Sequence, residues 1–116
     1  MINTAIITGA SGFIGSTLTN YLLKNNFKVI ALGRKSFSEI KLSRLAANKN
    51  LIYLKVDMKD IKNLKNLIDK NKITITQNSY FFHFAWGGKN VLSDLNVKAQ
   101  LKNVIWTRDA FNISEE

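Results

Sequence analysis

The chain has 116 residues, 46% of them hydrophobic and 22% charged, which is enough for one packed core and too little for two. With no Cys and a single His it can build neither a disulfide framework nor a thiolate or histidine-cluster metal site, and a reducing, cytoplasmic setting fits. The net charge of +9 would suit nucleic acid or an acidic membrane surface, but the lysines are scattered among asparagines from Lys24 to Lys102 without a basic block, so neither partner is expected.

No basic leader with a small-residue cleavage site opens the chain, and no apolar run approaches membrane-spanning length. A soluble, unexported domain over residues 1–116 is the expectation.

In chain order, Ile2 to Thr8 reads as a buried strand running into Thr8-Gly-Ala-Ser-Gly-Phe-Ile-Gly15, which opens a helix reaching Lys24. A strand that turns through glycines into a helix aims the helix's unpaired N–H groups and positive dipole end at whatever lies above the turn, and such a site favours an anion. Gly9, Gly12 and Gly15 serve a tight turn, room for a pyrophosphate against the backbone, and close packing of helix on strand. With Ser11, Phe13 and Ile14 they form the candidate phosphate cradle. Ile14, Leu18, Tyr21 and Leu22 recur at helical spacing and predict the helix's buried face.

Asn25-Asn26 tolerate a left-handed turn, and Phe27 to Leu32 reads as a second apolar strand, completing β-α-β. A right-handed crossover places the end of that second strand beside the phosphate turn, where an adenosine ribose lies. An acidic residue there takes the ribose hydroxyls of NAD. This chain has Gly33, then Arg34 and Lys35, so NADP is predicted over NAD, a guanidinium being suited to a 2′-phosphate that a carboxylate would repel.

Ser36 or Ser38 is a cap for a weak helix through Ile40, Leu42 and Leu45. Leu51 to Val56 reads as a third strand closed by Asp57-Met58, and Asp60 is the natural cap of a helix carrying Ile61, Leu64, Leu67 and Ile68. Asn71 to Ser79 reads as a short edge strand or a loop. Tyr80 to Ala85 is aromatic and apolar, as a central parallel strand beside the first requires, and His83 within it reads as a hydrogen-bonded core residue rather than a catalyst. From a cap at Ser93 a last helix follows, with Val97, Leu101, Val104, Arg108 and Phe111 in one row.

The G-x-x-G-x-x-G spacing with its preceding Thr resembles the extended short-chain dehydrogenase/reductases. His83-Phe-Ala85-Trp86-Gly-Gly88 resembles the H-x-A-A stretch of the NAD-dependent epimerase/dehydratase family, with Trp86 in place of the second small residue, as in some sugar-nucleotide members. The resemblance implies that Ala85 and Trp86 line the pyrophosphate and nicotinamide ribose, that Asp57 accepts from the adenine amino group and that Met58 contacts the ring. It also implies that Asn103, in Asn103-Val-Ile-Trp-Thr107, matches the family's N-V-x-G-T run better than Asn96 does, Trp106 standing where the family has Gly. The fold implied is a Rossmann-like, three-layer α/β/α arrangement on a parallel sheet of strand order 3-2-1-4, ending before strand 5.

Enzymes of this type use a Ser or Thr and then Tyr-x-x-x-Lys, whose lysine lowers the tyrosine's pKa. Here Tyr21 is followed four positions later by Asn25, Tyr53 by Asp57 and Tyr80 by Phe84, so the motif is absent. The expectation is the NAD(P)-binding N-terminal portion of a sugar-nucleotide epimerase, dehydratase or reductase, inactive alone and meeting a sugar nucleotide only with the missing half supplied. The alternative is a non-catalytic nucleotide-binding or protein-interaction module; either way an exposed sheet edge offers a route to a homo-oligomer.

Overall fold

The computed structural model describes residues 3–34, 45, 48–75, 78–85 and 97–114, with residues 97–102 described by their backbone alone. Four strands, β1 (Thr4–Thr8), β2 (Lys28–Gly33), β3 (Leu51–Lys55) and β4 (Ser79–His83), form one sheet in the order β3-β2-β1-β4. Every pairing is parallel, Ile6 standing beside Ile30 and Phe81, and Thr8 beside Leu32 and His83. Three helices, α1 (Phe13–Lys24), α2 (Leu64–Lys70) and α3 (Val97–Ser114), and a 3-10 helix over Met58–Asn63 cover the two faces.

Alternation along the strands divides the core into two sides. Ala5, Ile7, Val29 and Ala31 face α1 and meet Leu22 and Leu23. Ile6, Ile30 and Leu32 face the other way, onto Met58, Ile61, Leu64, Ile68 and Ala110. A strand with helices on both faces needs apolar side chains at successive positions, and β1 and β2 have them. The layers are therefore α/β/α, as the sequence predicts.

α1 ends as expected: Asn26 takes φ +65°, and Phe27 and Asn26 donate to the carbonyls of Leu22 and Leu23, closing the helix and delivering the chain to β2. Its buried face is rotated from the predicted one, keeping Leu22 and, in part, Leu18. Gly15, Ser16, Thr19, Leu22 and Leu23 turn inward while Ile14 and Tyr21 are exposed. The cause is Gly15: a Cβ there would overlap the Gly9 carbonyl oxygen, so the helix lies too close to the strand end for anything but small residues at its start.

Two further expectations change. Asp57, not Asp60, caps the turn after β3, its side chain accepting the Lys59 N–H at 3.2 Å, because the segment begins as a 3-10 helix one turn before the predicted α-helix. In α3 the row containing Val104, Arg108 and Phe111 faces solvent. Asn103 and Ala110 are buried, with Trp106 and Ile113 partly so, since small Ala110 lets the helix close on the core beneath the 3-10 helix. Residues 71–75 form a turn and loop, Lys72 at φ +54°, rather than an edge strand. The weak helix expected from Ser36 or Ser38 falls outside the described residues except at Leu45, which is buried and not helical, and the cap expected at Ser93 also falls outside them.

Candidate nucleotide site

At the carboxyl end of β1 the chain reverses through Gly9, whose φ of +66° is a left-handed conformation. A Cβ there would stand 2.8 Å from the Ala85 amide nitrogen, so Gly9 also lets the exit of β4 lie directly on the turn. Ala10 donates to the Leu32 carbonyl at 3.2 Å, tying the turn to β2, and Gly12 donates to the Gly9 carbonyl at 3.1 Å. The backbone of the turn is thus fixed by β1, β2 and β4 together.

Gly12 stands apart from the other two. It is the N-cap of α1, and a Cβ on it would meet only the Gly9 carbonyl oxygen, at an ordinary 3.4 Å. Among the described residues nothing requires glycine there. Among the described residues α1 starts with no side-chain cap and no acidic residue in its first turn, so the amides of Phe13, Ile14 and Gly15 and the dipole's positive end make a candidate anion site.

Thr8 closes the corner between β1 and β4. Its Oγ1 accepts from Phe84 N–H at 3.0 Å and Ala85 N–H at 3.3 Å, leaving its own proton to be donated to His83 Nδ1 at 2.7 Å. His83 Nε2 therefore carries the ring proton and donates to Thr107 Oγ1 at 3.3 Å, which in turn donates to the Asn103 carbonyl at 2.9 Å. Burial lowers the His83 pKa, in keeping with this neutral ring. The histidine is hydrogen-bonded through both ring nitrogens, as the sequence predicts, but it is half-buried at the strand end rather than enclosed in the core. Thr8 and Thr107 as its two partners are not legible in the sequence, because the register that sets Thr8 beside His83 has no local sequence mark.

The other predicted positions fall around this corner. Gly33 is buried at the end of β2 and Arg34 emerges exposed. Asp57 sits half-buried past β3, one oxygen engaged as the cap, whereas the Met58 side chain is buried in the core, so only its backbone is left to face an adenine. Ala85 lies over Gly9. Asn103 is fully buried and joins the corner through Thr107 and His83. Lys35 and Trp86 lie outside the described residues. Among the described residues no cluster of His, Asp or Glu fits a metal ion, and no helix is long and apolar enough to cross a membrane.

A parallel sheet of this order with a glycine turn at the first strand-to-helix junction defines a Rossmann-like nucleotide-binding fold. The sequence profile of the NAD dependent epimerase/dehydratase family matches residues 5–105, and the chain belongs to that family. An epimerase from the methanogen Methanothermobacter thermautotrophicus superposes with a TM-score of 0.71 at 25% identity, over 96% of this chain and 31% of the other. UDP-glucose 4-epimerase from Thermotoga maritima, solved with UDP-glucose, gives 0.66 at 22% identity over 94% and 33%. The Bordetella bronchiseptica enzyme WbmH, in complex with NAD+, gives 0.67 at 22% identity over 95% and 34%. The chain spans about a third of the length of these solved structures.

Proposed function

We propose that this chain is the dinucleotide-binding part of a nucleotide-sugar epimerase, dehydratase or reductase, and that it holds NADP in preference to NAD. The observation that carries the reading is Gly12: among the described residues its missing side chain serves no close contact and leaves open the approach to an uncapped helix start, the space a diphosphate needs. Neighbours solved with NAD, among them WbmH and a dTDP-glucose 4,6-dehydratase from Bacillus anthracis, support the class of ligand.

In this reading the backbone amides from Gly12 to Gly15 bind the diphosphate, with Ser11, Phe13 and Ile14 around it. Arg34 and Lys35 take a 2′-phosphate, and Asp57 and the Met58 backbone meet the adenine. Ala85 and Trp86 line the path toward the nicotinamide ribose, and Asn103 supports that wall from α3. When bound, the nicotinamide supplies or accepts a hydride at its C4. The chain's own part is to orient the dinucleotide: Thr8 and His83 fix the wall at residues 84 and 85 against the turn. No Tyr-x-x-x-Lys pair is present to move the substrate proton, so the chain alone is inactive and a sugar nucleotide enters only where a catalytic half is supplied.

Titration with NADPH and NADH, followed by nicotinamide fluorescence, tests this. The wild type should bind NADPH more tightly, and Arg34→Ala should weaken NADPH by about tenfold, the loss of one charge-assisted hydrogen bond, with NADH unchanged. Equal affinities in both proteins would remove the NADP preference. Absence of either complex at millimolar ligand would remove the cradle itself.

A further inference from the structure

The end of β2 carries no side chain, yet the space for one is filled. A Cβ built on Gly33 falls on the hydroxyl oxygen of Tyr53, and it would lie 3.2 Å from Cζ of that ring and 3.4 Å from Ser11 Oγ. Tyr53 pairs with Ala31 in the parallel register, so it stands on the α1 face of the sheet, and its ring leans toward the carboxyl end of the strands to reach Gly33. Gly33 is held in place: its carbonyl accepts from Val56 N–H at 2.8 Å, and the preceding carbonyl, of Leu32, accepts from Ala10 N–H. The glycine turn, the end of β2 and the phenol from β3 thus make one rigid corner, with Arg34 emerging from it.

We propose that Tyr53 is a specificity-determining residue of the dinucleotide site: its hydroxyl replaces the side chain absent at position 33 and contacts the 2′ substituent of the adenosine ribose. The inference rests on the dinucleotide reading above. A carboxylate at this corner would accept from ribose hydroxyls and repel a phosphate. A phenol is neutral and both donates and accepts, so it serves a 2′-phosphate oxygen without adding like charge, while Arg34 supplies the positive charge. The same hydroxyl bars an acidic residue from position 33 unless the ring moves away.

Calorimetric titration of NADPH and of the NADH analogue lacking the adenosine 2′-hydroxyl tests the contact on the wild type, Tyr53→Phe, Gly33→Ala and the double variant. Tyr53→Phe, which keeps the ring, should weaken NADPH about tenfold and leave the 2′-deoxy analogue within about twofold. Gly33→Ala should reproduce the loss by displacing the hydroxyl, and the double variant should be no worse than either single one, since both remove the same contact. Unchanged NADPH affinity in Tyr53→Phe, or equal losses for both ligands, would overturn the inference while the dinucleotide reading stands. Failure of the wild type to bind either ligand would overturn both.

Discussion

Helix α1 is held against β1 and helix α3 against β4 by different means. At β1 the helix is set by backbone against backbone: Gly15 against the Gly9 carbonyl, with Ser16 and Thr19 buried behind it. At β4 the described link to α3 is made by side chains, through the run from Thr8 to His83 to Thr107, and α3 leaves Val104, Ile105 and Phe111 in solvent. Burial follows the same division. β1 and β2 have a neighbour on each side and are buried at every position except Lys28, whereas β4 pairs, among the described residues, on one side only and exposes Ser79 and Tyr80. A fit made of main-chain atoms has no slack, and a fit made of hydroxyls and an imidazole responds to solvent conditions.

The sharpest way to break the contrast is at the glycines. Gly9→Ala combines a left-handed conformation with a clash against the main chain of residues 84 and 85, and should cost about 3 kcal/mol in urea unfolding. Gly12→Ala, with only an ordinary contact to make, should cost under about 1 kcal/mol yet abolish dinucleotide binding. Equal destabilisation by the two would show that Gly12 serves packing after all.

An intermediate effect is expected from acid. Burial depresses the folded-state pKa of His83, so just below the ordinary histidine value of about 6.5 the unfolded chain holds more protons than the folded one. The contribution of His83 to stability is then complete above that pH, falls as pH drops toward the folded-state pKa, and changes no further beneath it. Protonation also sets an Nδ1–H against a Thr8 hydroxyl whose lone pairs already serve two amides. Thermal melts between pH 5 and 7.5 should show the decline in the wild type and a flatter profile in His83→Gln; identical profiles would assign it to other groups. The smallest effect belongs to α3, where Phe111→Ser should stay within about 0.5 kcal/mol because the ring is 64% exposed.

The parts legible in the sequence are those with a local cause. The strands follow from apolar runs broken by turn residues, the full strand order is what the family resemblance implies, and Asn26 is a residue that tolerates the left-handed turn ending α1. Hydrophobic spacing alone gives several candidate rows, so it places Leu22 on the buried side of α1 but not Ile14 or Tyr21, and it does not find Asn103 and Ala110 as the buried positions of α3. The row that wins is chosen by how closely the backbone can approach, through Gly15 in one helix and Ala110 in the other. The sequence places the cap at Asp60 rather than Asp57 because a 3-10 start and an α-helical start differ by one turn and both acids fit a helix start. Tyr53 at the corner of Gly33 could not be read at all, since its reach depends on the register of β3 against β2.

The arrangement around His83 has a practical consequence. It is the single histidine of the chain, and its neighbours dictate which nitrogen is protonated, so a nitrogen-15 spectrum should contain one imidazole pair that needs no assignment. Any molecule that shifts the bend at Gly9 must also shift the hydroxyl beside it, and that resonance would register its arrival without a label, a dye or a turnover assay.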